Sequence, residues 1–294
     1  MDTFWDCFNK GVHMAIKAIA MDIDGTLTND QKVISPRTRE RLLQAQGEGI
    51  KLILASGRPS QGLKRLAHEL ELDTHDGLLV CFNGACVIDA QTDEVLYENA
   101  MPADELQRLL AHLKNFNVIP WISQGEDLFV EDAYRCMLTL PDGSQKNIVK
   151  YERDACDLKI HEVASLSDVA ASMPVDKLLT AGDPDYLQAH YQEMYEPFTG
   201  TLSGMFTADW YFEYTAPGID KAVALTGALG KLGIDASEVV AFGDGQNDRS
   251  MLAWAGTGVA MANAVDETKA VAQMVTLSNN EDGIAVALDK LLAE

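Results

Sequence analysis

The sequence predicts an α/β fold in which two separate parts of the chain build one parallel sheet, with an α+β unit inserted between them. Three observations support this prediction. The chain has 294 residues, and single hydrophobic cores stop growing near this length. Short apolar runs alternate with amphipathic helical patterns in the first and last parts of the chain, and this alternation stops between residues 89 and 209.

The predicted sheet begins with a buried strand at 15–21. This run is almost entirely apolar and is closed by an Asp-x-Asp-Gly segment, which is typical of a strand that ends in a loop. Ser35 and Pro36 then supply an N-cap and a first-turn proline. We therefore expect an amphipathic helix at 37–46, ended by the glycine that follows it.

Two further strands are predicted in the first part of the chain. The runs at 51–55 and 78–82 are short and apolar, and a helix is predicted between them at about 60–70. Strands and helices that alternate at these lengths favour right-handed βαβ units and hence a parallel sheet.

The insert is predicted at 89–209, where turn signals separate short strand-like stretches. The expected elements are strands at 95–97, 128–130 and 148–151, helices at about 103–115 and 184–193, and a turn at 141–143. A mixture of elements without regular alternation indicates an α+β unit.

The alternation of strands and helices resumes at residue 218. The expected elements are a helix to about 232, a strand at 239–242, a helix from about 247, a strand at 258–261 and a closing helix at 281–292. The sequence thus predicts a discontinuous core at 15–88 and 210–294 around the inserted unit at 89–209. Residues 1–14 lack the pattern of a secretory signal and are expected to be an N-terminal extension outside this core.

The chain is strongly acidic, with 45 Asp and Glu residues against 23 Lys and Arg and a formal net charge of -22. This charge repels phosphate backbones and anionic bilayers, so neither nucleic acid nor a membrane is an expected partner, and a small molecule is the favoured substrate. No apolar run reaches the ~20 residues of a membrane span. The five cysteines form no CxxC pair, which favours a reducing, cytoplasmic environment.

A pair of carboxylates follows the first predicted strand. Side chains alternate along an extended chain, so Asp22 and Asp24 would project to the same side at the carboxyl end of the strand. At ~4 Å their repulsion is about 4 kcal/mol with an effective dielectric constant of ~20, so the pair requires a cation, a shared proton or different roles. Taken alone, the same letters also fit an ordinary turn after a strand.

Two other segments offer groups that bind phosphate. Ser56 and Gly57 follow the second strand, where a hydroxyl and a backbone N–H at a helix start form a phosphate cradle, although an ordinary helix cap has the same letters. Lys221 lies just inside a predicted helix, where the helix dipole disfavours a cation. A function would explain this position, and a solvated surface lysine is the alternative.

The segment Gly-Asp-Gly-Gln-Asn-Asp at 243–248 directly follows another predicted strand. Its Gly-x-Gly start resembles a dinucleotide-binding loop, but Asp248 occupies the third glycine position and Asp244 would face the pyrophosphate. Oxygen ligands on such a loop suit a hard cation, and Mg²⁺ beside a substrate phosphate is the expected occupant. Acidic residues that merely cap a helix are the alternative.

In this order, these segments resemble the four motifs of the haloacid dehalogenase (HAD) superfamily, and in particular those of its Cof-type phosphatases. The segments are Asp22-x-Asp24-Gly-Thr26, Ser56, Lys221 and Gly243-Asp244-x-x-Asn247-Asp248. Similar supporting phrases are Ser56-Gly57-Arg58-Pro59, Asn83-Gly84-Ala85, the stretch 256–264 and Asn280-Glu281-Asp282-Gly283. The resemblance spans nearly the whole chain from residue 15 onward.

The spacing of the motifs indicates where a cap domain is inserted. The interval between Asp24 and Ser56 is already filled by a loop, one helix and one strand. The interval between Ser56 and Lys221 is far longer than one βα unit requires. This resembles the C2-capped branch (class IIB), so the resemblance implies a Rossmann-like core with a C2 cap at 89–209.

The resemblance also implies a role for each motif residue. Asp22 would attack phosphorus and form an aspartyl-phosphate, and Asp24 would act as acid and base. Mg²⁺ would be held by the carboxylates of Asp22 and Asp244 and the backbone carbonyl of Asp24, with Asp248 in the outer shell of the metal. The phosphoryl oxygens would be bound by Ser56, Gly57, Lys221 and Asn247.

The expected function is that of a Mg²⁺-dependent phosphatase of small phosphorylated metabolites, such as sugar phosphates, FMN or pyridoxal phosphate. Two alternatives stay open: a phosphomutase or phosphotransferase on the same scaffold, and a non-catalytic protein that binds phosphorylated metabolites. Candidates for substrate contact, as against ordinary packing, are Trp121, Tyr134, Trp210, His161 and Arg58. Neither the natural substrate nor the oligomeric state follows from the sequence.

Overall fold

The computed structural model describes residues 16–139 and 143–292. The strands, in chain order, are β1 (Ala18–Met21), β2 (Lys51–Ala55), β3 (Leu78–Cys81), β4 (Cys86–Asp89), β5 (Val95–Glu98), β6 (Ile119–Gln124), β7 (Asp127–Val130), β8 (Met137–Thr139), β9 (Gln145–Asn147), β10 (Lys159–Glu162), β11 (Lys177–Ala181), β12 (Ser203–Ala208), β13 (Tyr211–Thr215), β14 (Val239–Gly243), β15 (Thr257–Ala260) and β16 (Met274–Val275). The predicted extension at 1–14 and the first two residues of the turn predicted at 141–143 lie outside the described residues.

Helices connect most of these strands. In chain order they are α1 (Pro36–Gly47), α2 (Gln61–Glu69), α3 (Ala103–Leu113), α4 (Ile148–Cys156), α5 (Leu166–Ser172), α6 (Pro184–Tyr195), α7 (Lys221–Lys231), α8 (Arg249–Trp254), α9 (Asp266–Lys269) and α10 (Gly283–Leu291). Helix α1 begins as the sequence predicts, because the Ser35 side chain accepts the backbone N–H of Thr38 at 3.1 Å.

The largest sheet has eight strands in the order β16-β15-β14-β1-β2-β3-β4-β5. The strands from β16 to β3 are parallel neighbours, and β4 and β5 extend the sheet in antiparallel fashion. Strand β1 therefore lies between β2, from the first part of the chain, and β14, from the last part. This arrangement confirms the predicted α/β fold class.

Strand β1 is completely buried because both faces of the large sheet are covered. Ile19 and Met21 pack into one apolar cluster with residues of α1 and α10. Ala18 and Ala20 pack into the other with residues of α7 and α8, where their small side chains allow a close approach. Helices on both faces leave only the edges of the sheet free, and the carboxyl edge is the usual ligand position in such folds.

A second sheet has six strands in the order β10-β7-β6-β11-β13-β12. Its strands are antiparallel neighbours except for the parallel pair of β7 and β10. One face packs on α3, α5 and α6 and the other carries α4. These elements have the mixed α+β character that the sequence predicts for the insert.

The expected limits of the insert, at 89 and 209, do not coincide with the sheets. Strand β5 was expected in the insert but pairs with β4 in the large sheet, since the turn at 89–94 returns the chain as a hairpin. Strand β13 was expected in the core but lies in the smaller sheet, between β11 and β12. We propose that the insert runs from the segment after β5 to the segment after β13.

The strand predicted at 148–151 is wrong, because this segment starts helix α4. The β-branched residues Ile148 and Val149 suggested a strand. In the structure the Asn147 side chain caps the helix by accepting the backbone N–H of Lys150 at 2.9 Å. Both β-branched side chains are buried, so packing within the insert outweighs their intrinsic preference for strands.

The cysteines among the described residues are free and buried: Cys81, Cys86, Cys136 and Cys156. Burial raises the pKa of the last three thiols to about 12, so they are protonated near neutral pH. In the ranges that the structure describes, no helix combines the length and the apolar character needed to cross a bilayer.

Candidate active site

The motif segments meet at the carboxyl edge of the large sheet. Asp22 directly follows β1, Ser56 directly follows β2, and Asp244 directly follows β14. Because β1 is paired with both β2 and β14, these three residues leave the sheet side by side. Lys221, the first residue of α7, points into the same place.

Lys221 is buried, with only 1% of its surface exposed. Its Nζ donates to Asp22 Oδ1 at 2.7 Å, to Asp248 Oδ1 at 2.7 Å and to the carbonyl of Ala55 at 2.8 Å. Burial acts to lower the pKa of Lys221, but the two carboxylates outweigh it and raise the pKa. Lys221 is therefore a buried cation that joins three segments of the chain. It is not the solvated surface lysine that the sequence left open as an alternative.

The Asp22 carboxyl lies in the same buried environment. Burial raises its pKa to about 7 against the lowering effect of Lys221, and the carboxylates of Asp248 and Asp244 act in the same direction as burial. A second cation beside Asp22 would favour the ionised form, which is the form that acts as a nucleophile.

The structure contains a cluster of carboxylates suited to such a cation. Oxygens of Asp22, Asp244 and Asp248 lie within 4.8 Å of one another. Hard divalent cations prefer oxygen ligands of this kind. The neighbouring backbone fits as well: Gly25 has a φ of +84°, and a Cβ there would lie 2.5 Å from Asp244 Oδ2. Only glycine leaves this side of the Asp244 carboxylate open.

Asp244 and Asp248 make further hydrogen bonds with other groups of the chain. The Thr26 hydroxyl donates to Asp244 Oδ1 at 2.6 Å. Asp248 uses Oδ1 for Lys221, and its Oδ2 accepts the backbone N–H groups of Asp244 and Gly245 at 3.0 and 2.9 Å. Asp248 thus fixes the loop that carries Asp244.

Asp24 is paired with two cations. Arg58 Nη2 lies 2.7 Å from its Oδ2 and 3.0 Å from its Oδ1, and Lys32 Nζ lies 2.8 Å from its Oδ1. Burial acts to raise the pKa of Asp24, but the hydrogen bond from Lys32 and the charge of Arg58 outweigh it and lower the pKa. Asp24 is therefore ionised in this arrangement. The sequence singled out Arg58 for substrate contact but gave no signal for Lys32, which lies in a loop.

Four more residues lie beside the carboxylate cluster: Ser56, Gly57, Asn83 and Asn247. Ser56 is buried, and its Oγ accepts the backbone N–H of Arg58 at 3.3 Å. The Asn247 amide donates to Asn83 Oδ1 at 2.9 Å. A Cβ at Gly57 would lie 3.0 Å from the Asn83 amide, so these residues are closely packed. In the sequence, Asn83 was identified only as part of the Asn83-Gly84-Ala85 segment that resembles the family. The position of the Asn-Gly pair soon after β3 is the sequence feature that could have identified it as a site residue.

Sequence reasoning did not identify Lys177, on strand β11 of the insert. Its Nζ donates to the carbonyl of Gly57 at 3.0 Å and lies 3.1 Å from Glu213 Oε2. No motif marks this lysine, because its contact with the core exists only in the folded chain.

Of the four candidate substrate contacts on the insert, the two tryptophans pack within it and the other two lie at its surface. Trp121 is buried edge-on against Tyr211, with ring centroids 5.7 Å apart, and Trp210 packs on the same tyrosine at 6.0 Å. His161 bonds to Asp127 at 2.7 Å on the surface. Tyr134 is 85% exposed. Arg58 differs from these four, because it contacts Asp24.

Comparisons with known proteins identify the family of this chain. A family model for haloacid dehalogenase-like hydrolases matches residues 19–288. Pyridoxal phosphate phosphatase YbhA of Escherichia coli is 31% identical over 278 residues, covering 92% of this chain and 97% of that protein. A solved haloacid dehalogenase-like hydrolase from Bacteroides thetaiotaomicron has a TM-score of 0.83 and 34% identity, covering 94% of this chain and 99% of that one.

The solved HAD subclass IIB sugar phosphatase BT4131 has a TM-score of 0.71 and 26% identity, and covers 93% of this chain and 98% of that one. Two of these three relatives are named as phosphatases, which confirms the predicted enzyme class and the Cof-type resemblance. The family model includes every motif residue of the site. The chain therefore belongs to the haloacid dehalogenase-like hydrolases.

Proposed function

We propose that this chain hydrolyses small phosphate monoesters with Mg²⁺, through an aspartyl-phosphate on Asp22. One observation carries the proposal: the buried ammonium of Lys221 lies 2.7 Å from Asp22, in a cluster of three carboxylates that fits a divalent cation. A nucleophilic carboxylate, a fixed positive charge and a metal site in one place are what phosphoryl transfer requires.

In the first step an Asp22 oxygen forms a bond to phosphorus as the ester bond to the leaving oxygen breaks. Asp24 would protonate that leaving oxygen. Water would then form a bond to phosphorus as the bond to the Asp22 oxygen breaks, and Asp24 would remove a proton from that water, so that phosphate and the Asp22 carboxylate are released. The pairing of Asp24 with Arg58 and Lys32 opposes the protonated form. An anionic substrate would draw these two cations toward its phosphate, which frees Asp24 to take up a proton.

The remaining motif residues would bind the phosphoryl group. Mg²⁺ would be held by the carboxylates of Asp22 and Asp244 and the backbone carbonyl of Asp24, with Asp248 behind them. When bound, the metal offsets the repulsion between the nucleophile and the phosphate. The phosphoryl oxygens would be bound by Ser56, Gly57, Lys221 and Asn247.

The proposed substrates are small phosphorylated metabolites such as sugar phosphates, with pyridoxal phosphate and FMN as further candidates. The names of two relatives support this range, since one is a pyridoxal phosphate phosphatase and the other a sugar phosphatase. The acidic chain disfavours nucleic acid as a partner. Free, buried cysteines favour a reducing compartment, and we place the enzyme in the cytoplasm.

The test is phosphate release from a panel of phosphorylated metabolites, with Mg²⁺ or with EDTA and with no phosphoryl acceptor present. Asp22→Asn should reduce release to background while the circular dichroism spectrum at the assay temperature stays that of a folded chain. Asp30→Asn, an exposed acid near the same loop, is the matched control. Phosphate release by Asp22→Asn at the wild-type rate would refute the assignment, and turnover only with an added sugar acceptor would indicate a phosphotransferase.

A further inference from the structure

Lys177 connects the insert to the core beside the proposed phosphate site. It is the first residue of β11, and its side chain, 11% exposed, reaches the loop that follows β2. There its Nζ donates to the carbonyl oxygen of Gly57 at 3.0 Å and lies 5.2 Å from the centre of the Phe82 ring. At this point the insert and the core are thus joined by a charged hydrogen bond.

A buried carboxylate holds Lys177 in this position. Glu213 on β13 lies 3.1 Å from Nζ, and its side chain is 4% exposed. The register of β11 and β13 pairs Glu213 with Leu179, so Lys177 is its diagonal neighbour on the same face of the sheet. Removal of either member of an ion pair this well buried would leave the other as an uncompensated buried charge.

The hydrogen bond leads directly to Ser56. The carbonyl of Gly57 belongs to the peptide group whose N–H is that of Arg58, and this N–H donates to Ser56 Oγ at 3.3 Å. When a group such as the Lys177 ammonium donates a hydrogen bond to a peptide carbonyl, it polarises that peptide. The N–H of the same peptide then becomes a stronger hydrogen-bond donor. Because Ser56 Oγ accepts this bond, its own O–H is left to donate to another acceptor.

We propose that Lys177 is a positioning residue of the phosphate site, which fixes the Gly57 peptide and thereby aims the Ser56 hydroxyl at a phosphoryl oxygen. The inference rests on the proposed function, since Ser56 and Gly57 bind phosphate there. It adds a contribution from the insert to the recognition of the phosphoryl group itself. The lysine acts through the loop and has no contact with the leaving group.

Lys177→Met is the primary test, because methionine keeps an unbranched apolar side chain over Phe82 but removes the charge and the donor. It leaves Glu213 unpaired, so Lys177→Met/Glu213→Gln is measured beside it. Lys150→Met, at an exposed lysine of the insert, is the matched control. Two esters with unrelated leaving groups, p-nitrophenyl phosphate and a hexose 6-phosphate, are the substrates. Binding of inorganic phosphate in the presence of Mg²⁺ is measured by calorimetry.

The expected result is an equal loss of kcat/KM for both esters, about tenfold or more, which is the size expected for one lost hydrogen bond to a charged group. The double variant should show the same loss, and inorganic phosphate should bind more weakly by a similar factor. A loss confined to one ester, with unchanged phosphate binding, would overturn the proposal and make Lys177 a leaving-group contact. Wild-type behaviour of the double variant would overturn it as well.

Failure of the proposed function has a different signature. If the wild-type chain binds inorganic phosphate but hydrolyses no ester, the proposed function fails, and calorimetry on the two Lys177 variants still decides the role of Lys177. If the wild-type chain neither hydrolyses an ester nor binds phosphate, both proposals are refuted together.

Discussion

A buried lysine is costly unless its charge is matched, and Lys221 has its charge matched twice. It contacts one carboxylate that the proposed reaction uses, Asp22, and one that holds the loop of Asp244, Asp248. Loss of one partner from such a buried pair typically destabilises a protein by about 3–5 kcal/mol. The site is therefore also part of what keeps the two halves of the core together.

Asp176 provides a pH prediction away from the site. It is 2% exposed, and its Oδ1 has no hydrogen-bond partner among the described residues. Burial, with a smaller contribution from Glu98, raises its pKa to about 7. In the unfolded chain Asp176 loses its proton near its ordinary pKa of about 3.9. In the folded chain it keeps the proton up to about pH 7. The stability that this proton adds to the folded chain is fully present below about pH 3.9 and is lost as the pH rises through about 7.

Asparagine cannot titrate, so Asp176→Asn lacks this pH-dependent stability. Between pH 5 and pH 7 the unfolding free energy of the variant should therefore fall by about 1–3 kcal/mol less than that of the wild type. Urea unfolding at both pH values measures it, and Asp30→Asn serves as an exposed control. A variant with the same pH dependence as the wild type would show that Asp176 is ionised in the folded chain.

The motif residues could be predicted from the sequence because each directly follows a strand or begins a helix, and sheet topology then brings them together. The contacts of Lys32 and Lys177 with the site could not be predicted from the sequence. Lys32 reaches Asp24 from an irregular loop, and Lys177 reaches Gly57 from the second sheet. Contacts of this kind depend on how loops and sheets are placed in space, which local spacing does not encode.

At the scale of elements, the Ser35 cap joins two helices. Its Oγ accepts the backbone N–H of Thr38 in α1, and its hydroxyl donates to Asp282, which precedes α10. Ser35→Ala should therefore lower the unfolding free energy by about 1–2 kcal/mol, at the upper end of the range for a lost N-cap.

Ser60→Ala is the matched control, since Ser60 occupies the equivalent position before α2 but its side chain makes no capping hydrogen bond. Urea unfolding compares the two. Equal losses in both variants would show that the capping hydrogen bond of Ser35 does not account for the effect.

Elements of the core were easier to predict than those of the insert. Strand β2 coincides with its predicted range, because a short apolar run between a glycine and a Ser-Gly pair allows little else. Helix α4 was predicted as a strand, because its β-branched start matches either element until the Asn147 cap is seen. Half-exposed strands such as β10 and β12 have too few apolar residues to be recognised at all.

At the scale of the molecule, the proposed metal connects distant parts of the chain. Its ligands follow β1 and β14, so an ion bound there ties the first part of the core to the last. Mg²⁺ should therefore raise the melting temperature, with a stabilisation of about 2.7 kcal/mol at a concentration of about 100 times Kd.

Asp244→Asn should lose most of this shift, whereas Asp30→Asn should keep it. Thermal unfolding with a Mg²⁺ titration, and EDTA as the metal-free reference, measures both. A full shift in Asp244→Asn would place the ion elsewhere.

The central position of β1 also has a consequence for synthesis. A ribosome delivers β1 early, but its neighbour β14 and the helix that carries Lys221 emerge only after the whole insert has been translated. Until then one edge of β1 has no partner and the Asp22 carboxylate has no counter-charge. A nascent chain stalled before residue 239 therefore cannot assemble the cluster of Asp22, Asp244 and Asp248, however completely its insert has folded.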